Sequence, residues 1–93
     1  MDTSTVLDLV KARLGISSNV RDTYLTAIVN GVINELEDVQ GLILDMSSPH
    51  QLMFVVDYAT WRYQNRDQPG GMPRHLQFRL HNLVISAGGK DDF

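Results

Sequence analysis

The sequence contains no cysteine. A disulfide framework, a thiolate zinc site and a cysteine nucleophile are therefore excluded, and a reducing compartment is favoured. The chain also lacks any apolar run near the roughly 20 residues that a membrane-spanning helix needs. Its first residues do not show the basic start and long apolar centre of a signal peptide. We therefore expect a cytoplasmic protein without a membrane partner.

Positive charge is also scarce. The chain has 8 lysines and arginines against 11 acidic residues, for a formal net charge of -3. The distribution is uneven, because residues 1–46 carry seven acids and three bases, whereas residues 47–93 carry four acids and five bases. Affinity for nucleic acid comes largely from basic side chains that neutralise phosphates. The charge balance therefore argues against free nucleic acid as the main ligand.

Apolar residues are plentiful enough for one modest core. The chain has 93 residues, of which 43% are hydrophobic, and this length is typical of one domain. Helix signals occur four times and strand signals hardly at all. We predict an all-α fold, a compact bundle of four helices with a long second helix and a central third helix. It forms a single domain over 1–93, with an ordered core at about 3–86 and a flexible tail at 87–93.

The first two helices are predicted from apolar residues at helical spacing. Hydroxyl side chains at positions 3–5 are candidate N-caps for a short first helix, and Gly15 suits the left-handed residue that follows a helix end. Residues 17–41 show one apolar stripe opposite a polar face, and Gly41 ends the pattern. Gly31 costs about 1 kcal/mol relative to alanine inside a helix. We nevertheless expect the second helix to be unbroken.

The third helix has the clearest start. Ser48 is the predicted N-cap, Pro49 takes the first helical position and Gln51 completes a capping box. The helix is expected to run to about Arg66. The short apolar run "LILDMS" before it is interpreted as a packed connection, because it is too brief to build a sheet.

A loop and a fourth helix complete the fold. The glycines and prolines of "DQPGGMP" predict the loop, and Pro73 is predicted to open the helix. Four apolar residues form its buried stripe: Leu76, Leu80, Leu83 and Val84. The final "GGKDDF" is expected to fray.

The third helix has apolar residues on two opposite faces. One face carries Leu52, Val55, Val56, Ala59 and Tyr63, and the other carries Phe54, Tyr58 and Trp61. Asp57 and Gln64 interrupt the apolar ring. Such a helix is either the central helix of its domain or one that lends a face to a partner. In the second case some of the three aromatic residues lie in a subunit interface, where aromatic residues are enriched.

Residues for catalysis or metal binding are not recognisable. The three histidines lack the spacing of a zinc site and are interpreted as surface residues: His50, His75 and His81. The neighbouring acids lack the spacing of a calcium loop and are interpreted as a solvated face: Glu35, Glu37 and Asp38. We therefore predict no catalytic residue, metal ligand or cofactor.

The segment "YATWRYQNRDQPGGMPRHLQFRLHNL" makes the chain resemble the small head-tail connector proteins of tailed bacteriophages and prophages, also called head-completion or adaptor proteins. The shared pattern is a short helix, a long helix, a proline-started helix and, after a loop, a proline-started final helix. The third helix of the pattern ends in a characteristic segment, here Tyr63, Asn65, Arg66 and Asp67. The resemblance covers about residues 3–86. One departure is the acidic "NELEDVQG", which replaces the family's aromatic and basic end of helix two.

This resemblance implies a structural virion protein and no enzyme. Such proteins form a ring under the portal, extend the DNA channel and join the DNA-filled head to the tail. The implied partners are the portal protein, copies of the chain itself, a tail-side completion protein, and passing DNA without sequence-specific binding. The implied location is the head-tail junction of the virion, and the host cytoplasm during assembly.

Two groups of candidate site residues follow. The predicted subunit or portal interface consists of Phe54, Tyr58, Trp61, Arg62, Arg66 and Arg74. The predicted channel-facing acidic stripe consists of Asn34, Glu37 and Asp38, since an acidic wall lets DNA slide. Each group has a plainer alternative: the aromatics form core, the arginines complement a helix end, and the acids form a solvated face.

A small helical DNA-binding regulator is the alternative function. Arginines near the third and fourth helices would place a basic helix in a DNA groove: Arg62, Arg66, Arg74 and Arg79. The negative net charge opposes this alternative.

Overall fold

Four α-helices and one π-helical segment build the fold in the computed structural model, which describes residues 2–42, 44, 47–66 and 71–89. The helices are α1 (Thr3–Leu14), α2 (Asp22–Asn34), α3 (Pro49–Gln64) and α4 (Arg74–Gly89). The π-helical segment (Glu35–Val39) directly continues α2. The predicted all-α bundle of four helices is confirmed, and no strand occurs within these described ranges.

Helix α1 is capped one residue earlier than the sequence indicated. The Asp2 carboxylate accepts a hydrogen bond from the backbone N–H of Ser4 at 3.0 Å and another from the Thr5 hydroxyl at 3.1 Å. The hydroxyls predicted as caps therefore lie inside the helix, because a carboxylate was available just before them. Gly15 ends α1 in the left-handed conformation, with φ 73°, as predicted.

Helix α2 passes Gly31 without a break, as expected, and changes its winding at Glu35. In the π-helical segment the N–H of Gln40 bonds the carbonyl of Glu35 at 3.1 Å, one residue farther back than in an α-helix. The wider turn keeps Leu36 fully buried while Glu35 contacts α3. Gly41, with φ 72°, ends the helical path.

Helix α3 begins as predicted. The hydroxyl of Ser48 accepts from the N–H of Gln51 at 3.5 Å, and Pro49 occupies the first turn. The helix ends at Gln64, two residues before the predicted end. In α4 the carbonyl of Pro73 accepts from two N–H groups of the first turn, so Pro73 stands just before the helix.

The remaining sequence predictions concern connections and the tail. Leu42 and Leu44 are buried, as a packed connection requires, while residues 43, 45 and 46 lie outside the described residues. Most of the predicted loop, 67–70, and the end of the tail, 90–93, also lie outside them.

Helix α3 is the centre of the bundle, as predicted, since it packs against each of the other three helices. Its buried face meets Val6 and Val10 of α1 and the inner side of α2. Among the described helices α4 packs on α3 alone, and Leu76 is its fully buried residue. No helix in the described part of the chain is both long and apolar enough to cross a bilayer.

The N-cap of α3 gives the first test. Replacing Ser48 by alanine leaves the N–H of Gln51 without its side-chain acceptor and should cost about 1 kcal/mol of folding free energy. The melting temperature should fall by roughly 4–8 °C in thermal unfolding monitored by circular dichroism. Ser17→Ala in the exposed α1–α2 connection is the control. Equal melting temperatures for the two variants would contradict the cap.

Candidate functional site

The aromatic face of α3 turns inward. Phe54 is 1% exposed and Tyr58 is 4% exposed, so both belong to the core of the chain. Their assignment to a subunit interface is wrong, because neither side chain has surface left to offer a partner. Trp61 differs, since it is half-buried and stacks on Tyr58 with ring centroids 6.1 Å apart.

Tyr58 belongs to a polar network that joins α3 to the π-helical segment. Its hydroxyl donates to one carboxylate oxygen of Glu35 at 2.5 Å. Arg62 donates to the other oxygen at 2.9 Å and to the Tyr58 hydroxyl at 2.7 Å. The Arg62 guanidinium also lies 4.8 Å from the centre of the Tyr58 ring. The three side chains therefore satisfy one another at the edge of the core.

This network gives Arg62 a role within its own chain. Its guanidinium is half-buried and bound to Glu35, so Arg62 ties two helices together. Its predicted place in a partner interface stays a prediction. Sequence reasoning missed Glu35, which had been grouped with the solvated acids. The available signal was the spacing of Tyr58 and Arg62, which places them on one face of α3.

The surroundings of Tyr58 shift its acidity. The pKa of Tyr58 is raised from its ordinary value of 10.0 to about 12, chiefly by burial. The hydrogen bond to the Glu35 carboxylate also raises this pKa, whereas the positive charge of Arg62 opposes the rise. The neutral phenol is thus the form that the folded protein prefers.

A second polar cluster joins α1, α3 and α4. Arg13 donates to one carboxylate oxygen of Asp57, and Arg79 donates to the other at 2.7 Å. The Arg79 guanidinium also lies 5.5 Å from the centre of the Phe54 ring. The side chain of Asp57 is only 18% exposed. Asp57 is the acid that interrupts the apolar ring of α3, and this interruption was the sequence signal for the cluster.

A cleft of about 320 Å³ opens beside Asp57, between α1, α3 and α4. Its walls include both arginines of the cluster, Trp61, and His75 from the first turn of α4. Thr60 also lines the cleft, and its hydroxyl has no hydrogen-bond partner among the described residues although the residue is only 4% exposed. A buried hydroxyl without a partner is uncommon in folded proteins.

The arginines near α3 and α4 do not form one basic surface. Arg62 pairs with Glu35 and Arg79 pairs with Asp57. Arg66 donates to the carbonyl of Tyr63 at 2.6 Å, and its guanidinium lies 4.3 Å from the centre of that ring.

Arg74 is exposed at the start of α4. Of the arginines predicted for an interface, Arg74 therefore keeps the most accessible position, and Arg66 is exposed but bound to the end of its own helix.

The acidic stripe is on the surface. Asn34, Glu37 and Asp38 are exposed where α2 passes into the π-helical segment, and Val39 beside them is 74% exposed. The exposure of these three side chains agrees with a solvated face. A channel wall would also require it, so both interpretations of the stripe stay open. All three histidines are exposed as expected, and the described ranges contain no group of three side chains suited to a metal ion.

Two further surfaces escaped sequence reasoning. Phe78 is 66% and Ile85 is 54% exposed on α4, on the side opposite its buried stripe and close in helical phase to Arg74. We call these three residues the α4 outer surface. Val20, 88% exposed, and Tyr24, 47% exposed, form the turn surface at the start of α2. The sequence signal for both surfaces was the apolar character of these side chains. The sequence did not show that α4 is buried on one side only, which is why their exposure was not predicted.

The pKa of Tyr58 gives the second test. Since the folded pKa is raised, the stabilisation is fully present below pH 10 and is lost as pH rises toward about 12. The loss should stay below the roughly 3 kcal/mol that two pKa units correspond to, because the phenol lies at the edge of the core and is partly screened by solvent. Denaturant unfolding of the wild type and Tyr58→Phe between these pH values should show the wild type losing more stability. Parallel losses in the two proteins would contradict the shifted phenol.

Comparison with known proteins gives no family assignment. No family model matches the chain. Neither a curated protein nor a solved structure matches it.

Proposed function

We propose that this protein is a head-tail connector subunit that forms a ring under the portal of a tailed bacteriophage and joins the DNA-filled head to the tail. The observation that carries the proposal is the exposure of apolar side chains on two separate elements. The α4 outer surface lies on α4 and the turn surface lies at the start of α2, and the described residues of these two helices do not pack against each other. A head-to-tail ring needs two different surfaces on each copy, because its contacts are heterologous.

The α4 outer surface has the character of a protein contact. It combines an exposed aromatic residue, an exposed aliphatic residue and an arginine along one side of a helix: Phe78, Ile85 and Arg74. Aromatic residues and arginine are enriched where proteins bind each other. At 1.5 Å per residue, the positions from 74 to 85 extend over roughly 16 Å. This length offers a partner three turns of continuous surface.

The turn surface supplies a second contact. Val20 is almost wholly exposed and Tyr24 presents about half of its side chain, although Tyr24 also packs on Tyr63 with ring centroids 6.0 Å apart. The packing on Tyr63 holds the Tyr24 ring in place before a partner arrives. A preorganised aromatic ring loses little freedom on binding.

The ion pairs weigh against the DNA-binding regulator. Of the four arginines that this alternative uses, Arg62 and Arg79 bind carboxylates of their own chain. A groove-binding helix needs several cations free to neutralise phosphates. The pairing leaves the regulator with too few of them on one surface.

The acidic stripe fits the channel side of the proposed ring. DNA that passes a wall of fixed positive charge is held by counterion release, whereas an acidic wall does not hold it. Glu37 and Asp38 are exposed, and neither forms an ion pair with a described residue. We therefore assign Asn34, Glu37 and Asp38 to the channel side of the subunit.

Removal of an exposed aromatic residue tests assembly. Phe78→Ser should change the folding free energy by at most about 0.5 kcal/mol, because the side chain is mostly exposed. It should nevertheless abolish the large species that the wild type forms at high concentration, as measured by sedimentation velocity. Met53→Ser, at an exposed position on α3, is the matched control and should assemble normally. A wild type that stays monomeric, or a Phe78→Ser ring, would count against the proposal.

Charge reversal tests the acidic stripe. The double variant Glu37→Lys and Asp38→Lys should still form the ring but should bind duplex DNA at low salt, with affinity that falls steeply as salt rises. The wild type should bind none in the same gel-shift assay. In a phage that carries the double variant, DNA ejection should be slower. Normal ejection together with normal assembly of the double variant would contradict the assignment of the stripe to the channel. Binding of duplex DNA by the wild type would favour the DNA-binding regulator.

A further inference from the structure

We propose that the cleft between α1, α3 and α4 binds a carboxylate side chain from an acidic segment of another protein. This inference does not depend on the connector function, because it rests on the groups that line the cleft. Two of those groups are the guanidinium of Arg13 and the guanidinium of Arg79. They share the single carboxylate of Asp57, so the cleft carries an excess of one positive charge.

The arginines keep unused donors. Each oxygen of Asp57 accepts from one nitrogen of one arginine, through Nη1 in both cases. A guanidinium has five N–H donors in a planar fork, so most donors of Arg13 and Arg79 are not used by Asp57. Their side chains are 52% and 39% exposed, which leaves them accessible from solvent. Arginine presented in this way suits a carboxylate, which it can bind through two parallel hydrogen bonds.

The other walls of the cleft add features that favour a negative ligand. The first turn of α4 contributes His75 and Leu76, and a helix N-terminus carries partial positive charge. Thr60 and Trp61 line the cleft from α3, and the arginines line it from α1 and α4. All three helices therefore converge on one small volume of about 320 Å³.

A carboxylate fits the cleft better than the phosphate backbone of DNA. The excess of one positive charge would neutralise about one phosphate, and duplex binding requires several such contacts. Asp57 remains in the cleft and would repel a second negative charge on the ligand. The chain as a whole also carries a net charge of -3, which opposes the approach of a polyanion. We therefore assign the cleft to one acidic side chain of a protein segment.

The test uses Trp61, because it is the only tryptophan of the chain and lines the cleft. A short capped peptide with one glutamate among glutamines is titrated into the isolated protein at constant ionic strength while Trp61 emission is recorded. We expect a saturable change in emission with this glutamate peptide and none with the same peptide in which glutamine replaces the glutamate. The absence of a saturable change with the glutamate peptide would overturn the proposal. Tighter binding of inorganic phosphate or of a short DNA duplex would overturn the assignment to a carboxylate.

Substitutions locate the binding site. Arg13→Gln removes one guanidinium but leaves Arg79 on Asp57, and should weaken the glutamate peptide about tenfold. Arg74→Gln removes an exposed arginine that does not line the cleft, and should leave the affinity unchanged. Arg79→Gln removes the other guanidinium but leaves Arg13 on Asp57, and its binding is measured in case Arg13→Gln fails to fold. Equal affinity in Arg13→Gln and wild type, or in Arg79→Gln if Arg13→Gln is unfolded, would overturn the site.

Discussion

The burial of both faces of α3 is the constraint on which the rest of this structure depends. A chain of 93 residues can build only one modest core, so a helix that buries two apolar faces within the chain lies at its centre. Helices α1, α2 and α4 all pack on α3, and Glu35 contacts Tyr58 and Arg62 at the edge of the core. The central position of α3 and the burial of Phe54 and Tyr58 are two aspects of this arrangement.

Polar residues at the edge of that core fix how the helices are arranged. Asp57 would be costly to bury alone, and the two arginines that bind it come from α1 and α4. Glu35 likewise binds Tyr58 and Arg62 at the point where the winding of α2 widens to a π-helix. Each cluster joins helices that are distant in sequence. Charge pairing therefore favours one relative arrangement of the helices, which apolar contact alone would specify less well.

The same internal pairing decides which surfaces are free for partners. Phe54 and Tyr58 of α3 are enclosed and Arg62 binds Glu35, so the exposed apolar side chains that remain for a partner include those on α4 and at the start of α2. Among the described helices α4 packs on α3 alone, which explains why Phe78 and Ile85 remain exposed. It also opens the cleft beside Asp57, where the carboxylate site is proposed. The proposed connector role and the proposed carboxylate site therefore use different sides of one peripheral helix.

The sequence by itself determined the helices, because capping residues, glycines and apolar spacing are local signals. It predicted four helices, the Ser48 cap and the central position of α3, and all three are confirmed. Only the tertiary structure decided the partners of Glu35 and Asp57, since their ion pairs join side chains at least 22 residues apart in the chain. Spacing along one helix shows which residues share a face, but it does not show what that face meets. That depends on the packing of the whole chain, which placed the aromatic residues in the core and left the outer side of α4 open.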